Sequence, residues 1–259
     1  MTTKILSQIE KPKDRPPVCT ILADSGIGKT SFAATFPTPV FIRAEDGLQS
    51  IPSNKRPDAL PVIKSPDNLW EQLHALIKED HQYKTLVIDS VTALERLFIE
   101  AVLKEDPKAK SINQALGGYG NGIAAVTAMH QRLRKACEQL VENKQMCIVF
   151  IAHADTETIE LPDQDNYTRY CLRLNKKSVA AYVDDSDLVG FMRLETYTHG
   201  DGDKKKATST GARELVCYAT AANVSKNRYG IDEPLTIDQE SNPLFDIIPF
   251  FKNTTNKEK

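Results

Sequence analysis

The sequence predicts an α/β fold: a mostly parallel central sheet flanked by helices, with an antiparallel hairpin extension in its C-terminal part. Three observations lead there. Apolar or β-branched runs (VCTILA, PVFIRA, KTLVIDS, MCIVFIAH) alternate with helical patterns, as expected for helices packed on a parallel sheet. KTLVIDS and MCIVFIAH are continuously apolar rather than alternating, which suits strands covered on both faces. The runs lead into the Gly26/Gly28 turn or Glu45, or close on Asp89 or His153, so reactive groups gather at the carboxyl ends of strands, where open α/β sheets carry their sites.

Residues 1–15 are polar and proline-containing and read as a flexible arm. The core is expected over 16–235. Val18–Ala23 is its first strand and leads into a Gly26/Gly28 turn, after which KTSFAATF reads as a helix. Pro39–Ala44 is the next strand, and residues 47–66, with four prolines, read as a surface connection. Asp67–Asp80 carries Leu69, Leu73 and Ile77 on one helical face, with Asp67 as its N-cap. The Lys84–Ser90 strand is followed by a helix, VTALERLFIEAVLKED. LGGYGNG, Leu116–Gly122, is too glycine-rich for regular structure. A long helix over 123–143 leads to the Met146–His153 strand. Residues 154–170 are polar, contain Pro162 and read as a long loop. KSVAAYVDDSDLVGFMRLE returns through apolar segments. His199–Gly211 reads as the connection of a hairpin between Gly190–Thr198 and Glu214–Thr220. Residues 236–259 hold an apolar segment, LFDIIPFF, and a polar tail. The segment reads as a core helix, with a docking segment for a neighbour or a single-strand-binding protein as the alternative.

Composition narrows the function. The 259 residues carry a net charge of −2, so any nucleic-acid contact has to come from a local patch. Five widely spaced cysteines show neither metal-ligand spacing nor an even count and read as reduced, buried thiols of a cytoplasmic protein. The N-terminal residues show no apolar leader and no run suits a membrane span.

The chemistry starts at ADSGIGKT, Ala23–Thr30. It fits a phosphate-binding P-loop, G-x-x-x-x-G-K-[ST], except that Ala23 replaces the first glycine. That position is the last of the strand and asks least of a glycine. Backbone N–H groups over Asp24, Ser25, Gly26, Ile27, Gly28, Lys29, Thr30 and Ser31 would cradle phosphates, with Lys29 reaching the β/γ-phosphates and the Thr30 hydroxyl on Mg²⁺. Asp89, closing KTLVIDS, would hold the same Mg²⁺ directly or through water; a helix-capping aspartate is the plainer alternative. Glu45, just beyond the second strand, is placed to polarise the attacking water, with Asp46 as its rival. His153 ends a buried strand where it can sense the γ-phosphate. Lys226 and Arg228 in VSKNRYG sit two residues apart on an extended segment and point the same way. They can stabilise phosphate charge as an arginine finger does.

Together ADSGIGKT, FIRAEDG, TLVIDSVTAL, IVFIAH and SKNRYG resemble a RecA-like P-loop NTPase core over residues 16–232. The resemblance is closest to the phage AAA-domain ATP-binding proteins of single-strand annealing and recombination. It implies ATP and Mg²⁺ as cofactors, Glu45 as the catalytic glutamate, and His153 at the sensor position. It also implies Lys226 and Arg228 acting in trans in a homo-oligomeric ring or filament, in the cytoplasm of a bacterial host. Ala23 and the histidine depart from the family pattern. Single-stranded DNA would lie on loops rich in basic and aromatic residues: Lys108, Lys110 and Tyr119 around LGGYGNG, then Tyr167, Arg169, Tyr170, Arg173, Lys176 and Lys177. The acidic residues Glu157, Glu160, Asp163 and Asp165 weaken the second segment, and Lys204–Lys206 forms a further basic run. The expected function is an ATP-dependent single-stranded-DNA-binding protein of phage recombination, hydrolysing ATP at subunit interfaces. A helicase or helicase-loader motor, or an assembly protein that hardly hydrolyses nucleotide, are the alternatives.

Overall fold

The computed structural model of the chain describes residues 5–199, 206–238 and 241–255. In chain order the elements are β1 (Val18–Ala23), α1 (Lys29–Ala33), β2 (Pro39–Arg43), β3 (Asp58–Ala59), α2 (Pro66–Lys78), β4 (Thr85–Asp89), α3 (Val91–Glu105), α4 (Asn121–Lys144), β5 (Cys147–Leu161), β6 (Gln164–Leu172), α5 (Lys176–Val183), β7 (Leu188–His199), β8 (Lys206–Val216), β9 (Lys226–Asn227), β10 (Leu235–Ile237) and α6 (Pro249–Thr255).

The sheet runs β10-β8-β7-β1-β5-β4-β2-β3. From β7 through β3 every neighbouring pair is parallel. The P-loop strand lies in the middle, with β5 inserted between it and β4, the RecA-like arrangement. β8 and β10 extend the sheet antiparallel. The side-chain period of two splits the apolar runs between two faces. Val18 and Leu22 belong to the cluster under α2, α3 and α4, whereas Cys19, Ile21 and Ala23 belong to the cluster under α1 and the C-terminal segment. All six residues of β1 are buried, which explains why this strand reads as an unbroken apolar run.

Several local expectations are corrected. The polar stretch 154–170 is no loop: β5 runs on to Leu161 and turns at Pro162–Asp163 into β6, forming a hairpin. Proline and aspartate are turn formers, and the alternating Thr156 and Thr158, opposite Tyr170 and Thr168, suit a two-stranded ribbon; polarity had hidden the period. α2 begins one residue earlier than expected, with Ser65 accepting from the Asn68 amide at 3.4 Å and Pro66 at the first helical position. β8 starts at Lys206, so Ala207–Gly211 belong to a strand rather than to the connection, and residues 217–220 lie beyond it. Lys204 and Lys205 fall outside the described residues.

LFDIIPFF packs as core: Leu244, Ile248 and Phe251 are buried, and Phe36 meets the Phe245 and Phe251 rings at 6.0 and 6.1 Å between centroids. On the other face, fully buried His130 bonds through Nδ1 to the Tyr182 hydroxyl at 2.6 Å, and its Nε2 lies 3.7 Å from Glu95 Oε1. Burial pushes the His130 pKa down to about 3. No helix among the described residues is long and apolar enough to cross a membrane, and they contain no cluster of potential metal ligands from His, Cys, Asp and Glu.

Candidate nucleotide site

A cavity of about 770 Å³ opens at the carboxyl edge of the sheet, lined by residues 25–31, 45–47 and 50, with Asp89, His153, Leu194 and Arg213. Its floor is the turn between β1 and α1. Gly26 and Gly28 take φ of 83° and 102°, the left-handed region that costs glycine nothing, and this lets the backbone curl. Ala23 stays in the strand, as expected. Lys29, only 6% exposed, donates to the carbonyls of Ala23 at 3.1 Å and Asp24 at 2.8 Å, which holds its ammonium against the loop. Burial lowers its pKa and the nearby carboxylates oppose that shift.

β4 delivers Asp89 beside the loop, and the Thr30 hydroxyl donates to Asp89 Oδ2 at 2.8 Å. The Asp89–Ser90 peptide is cis. Ser90 caps α3, accepting from the Ala93 amide at 3.2 Å. Asp89 is nearly buried, and burial raises its pKa to about 6. The residues fit Mg²⁺. Two hard oxygen donors converge, one a carboxylate whose ionised form burial disfavours and a cation would favour. Space for a cation survives beside them because residue 47 is glycine: a Cβ there would stand 3.1 Å from Thr30 Oγ1 and 3.2 Å from Asp89 Oδ2.

Glu45 follows β2. Its backbone is tied to β4 by Ala44 and Glu45 amides that donate to the Asp89 carbonyl at 2.7 and 3.3 Å. His153 Nε2 meets Glu45 Oε1 at 3.0 Å. This hydrogen bond, with help from Ser90 and against the effect of burial, holds the carboxyl down at about 2. The rival Asp46 lines the cavity as well, but its carboxylate pairs with Arg43 at 3.3 Å and Gln49 at 2.8 Å. His153 is anchored by its own amide, which donates to Thr92 Oγ1 at 3.0 Å, and its Nδ1 lies 3.3 Å from the Ser25 hydroxyl of the loop. Four separately predicted residues, Lys29, Glu45, Asp89 and His153, therefore share one cavity. Gly47, Leu194 and Arg213 line it too and escaped sequence reading. Gly47 belongs to the EDG motif, but the β8 register that brings Arg213 in has no local signal.

Lys226 and Arg228 are not in this cavity. β9 pairs with the first residues of β7, so both sit at the amino edge of the sheet. There Lys226 donates to the Asp184 carbonyl at 2.7 Å, and Arg228, with Arg15, pairs with the buried Asp187.

The candidate DNA residues divide. Arg169 pairs with Glu157 at 2.9 Å, Tyr170 stacks on Phe191 at 4.6 Å, and Arg173 donates to the Ala154 carbonyl at 2.8 Å. Tyr167 is half-buried on β6, while Lys108 and Lys110 are exposed between α3 and α4. Tyr119 is fully exposed with φ of 50°. Lys176 and Lys177 open α5, and Lys177 Nζ comes within 3.9 Å of where a Cβ of Gly120 would stand. The two segments separated in sequence are thus side by side.

Loop, buried lysine, Thr30–Asp89 pair and Glu45 on a sheet of this order define a P-loop ATPase. The chain belongs to the AAA domain family, whose model matches residues 15–229. No curated protein matches it. Among solved structures it is similar to the KaiC-like protein PH0186 from the hyperthermophilic archaeon Pyrococcus horikoshii OT3, at 12% identity over 88% of each chain with a TM-score of 0.46.

Proposed function

We propose that the protein is an ATP-dependent single-stranded-DNA-binding protein of the recombination type found in phages, hydrolysing Mg-ATP between subunits of a homo-oligomer. The observation that carries this reading is the position of His153. Its side chain holds Glu45 at the nucleotide cavity, and its backbone carbonyl accepts from the Arg173 amide at 2.9 Å. Arg173 lies at the foot of the β5–β6 hairpin, three residues before the exposed Lys176, and the neighbouring Lys177 reaches Gly120, next in the chain to Tyr119. One residue therefore joins the phosphate end of the site to a surface with exposed cations and a free aromatic, the combination suited to neutralising a single strand and stacking its bases.

In this reading the loop amides and Lys29 hold the triphosphate, and Thr30 and Asp89 hold Mg²⁺. The bound cation would screen phosphate charge. A glutamate held at about 2 is a weak proton acceptor, so Glu45 works chiefly by orienting water, and works best once His153 lets go. His153 has a second partner available in the γ-phosphate, and turning to it both frees Glu45 and tugs on the hairpin. Lys226 and Arg228, at the opposite sheet edge, suit head-to-tail assembly in which one copy's cations meet the next copy's cavity.

The test is binding of a labelled single-stranded oligonucleotide with and without Mg-ATP, alongside hydrolysis with and without DNA. ATP-enhanced binding and DNA-stimulated hydrolysis are expected. Hydrolysis without any single-strand binding would leave the P-loop ATPase and remove the DNA role. Unwinding of a forked duplex would move the reading to a helicase.

A further inference from the structure

We propose that Arg213 is a nucleotide-binding residue that acts within its own subunit, contacting the diphosphate portion of the bound nucleoside triphosphate from the flank opposite Glu45. The inference rests on the nucleotide reading of the cavity and adds to it a residue that no loop motif announces.

The placement follows from the sheet. Arg213 lies on β8 opposite Leu194 of β7 and Ile237 of β10, so ladders on both sides fix its Cα. The period of two puts it on the same face as Leu215, which belongs to the cluster around α1; Glu214, pointing the other way, pairs with Arg193 at 2.6 Å. From there Arg213 reaches over β7 to the phosphate loop. Its guanidinium lies so close to Gly28 that a Cβ at residue 28 would collide with Nη1, and both Arg213 and Leu194 line the nucleotide cavity.

Its partners are equally informative. Arg15, Arg43, Arg169, Arg193 and Arg228 all pair with carboxylates. The half-buried Arg213 side chain has no hydrogen bond or ion pair among the described residues. A guanidinium set on a rigid strand, aimed at a phosphate loop and left without a carboxylate, suits a phosphate oxyanion bound from outside the chain. The strand order then decides which phosphates it meets. Glu45, Asp89 and His153 come from β2, β4 and β5 on one side of β1, and Arg213 comes from β8 on the other. The reacting γ-phosphate belongs with Glu45, which leaves Arg213 to the phosphates that ATP and ADP share. Gly28 is thereby glycine for two reasons, its φ of 102° and the space the guanidinium takes.

The test measures binding of fluorescent ADP and ATP, each with Mg²⁺, to the unmutated chain, Arg213→Ala, Arg213→Lys and Lys29→Ala, with thermal melts confirming that each is folded. Loss of a charge-assisted contact should weaken both nucleotides by the same factor, roughly ten- to hundredfold. KM for ATP should rise by that factor, and lysine should recover part of the loss. Unchanged ADP affinity in Arg213→Ala would overturn the proposal. So would a loss confined to ATP, which would place the residue at the γ-phosphate. If the unmutated chain and Lys29→Ala both fail to bind, the nucleotide reading itself falls and takes this one with it.

Discussion

His153 Nε2 lies 3.0 Å from Glu45 Oε1, so the residue expected to sense the phosphate holds the residue expected to orient the water. Glu45→Gln should cut hydrolysis by about 10²–10⁴-fold while nucleotide affinity stays within about threefold. His153→Ala frees the carboxylate without removing it, so it should keep basal hydrolysis and lose its response to DNA. Steady-state rates with and without single strands check both. Equal basal losses in the two variants would mean that His153 serves catalysis directly rather than through Glu45.

Gly47 keeps space beside Thr30 and Asp89. Gly47→Ala brings a methyl to 3.1 Å from Thr30 Oγ1 and 3.2 Å from Asp89 Oδ2, closer than most carbon contacts. Its φ of −86° is compatible with alanine, so the backbone should not suffer. The expected result is a Mg²⁺ requirement raised by roughly five- to tenfold, about 1–1.4 kcal/mol, with little change in metal-free ADP binding. Magnesium titrations of nucleotide affinity decide it.

The pH dependence should carry the mark of His130. Its folded pKa of about 3 lies below the ordinary 6.5, so the neutral ring's contribution is complete above 6.5 and is lost as pH falls through the window towards 3. Each pH unit in that window costs up to about 1.4 kcal/mol. The groups facing it are Glu95 and Tyr182. His130→Asn should be less stable at pH 7.5 but should lose less between pH 7 and pH 5 than the unmutated chain does. Thermal midpoints across that range measure this, and parallel curves would show that the acid limb arises elsewhere.

If Lys226 and Arg228 complete a neighbour's site, subunits defective in different halves should complement each other. Arg228→Ala and Lys29→Ala should each be inactive alone, and mixing them should restore part of the hydrolysis. The mixture would stay inactive if each site is complete within one chain. Arg228→Ala also breaks the pair with Asp187, so its melting point must be compared with that of the unmutated chain.

The C-terminal aromatic residues should behave as core. Phe251→Ala, at a site only 4% exposed and packed on Phe36 and Phe245, should cost about 3–5 kcal/mol. Denaturant unfolding gives the number, and a loss under about 1 kcal/mol would favour a docking role.

By itself the sequence determined the parallel core and the phosphate loop, because both are written locally. Runs buried on two faces are apolar without a break, and the loop needs its glycines, Lys29 and Thr30 in consecutive positions. Asp89 and His153 were legible for the same reason, as polar residues closing apolar strands. Tertiary structure decided everything that depends on register or on a neighbour. Polarity concealed the β5–β6 hairpin, since a ribbon outside the core has no apolar face to mark its period. The Glu45–His153 bond joins strands β2 and β5, with β4 between them. The cavity residues Gly47 and Arg213 are defined by distances to atoms far away in the chain. Strand pairing also sends Lys226 and Arg228 to the amino edge of the sheet, away from their own loop, and no spacing within SKNRYG could reveal that.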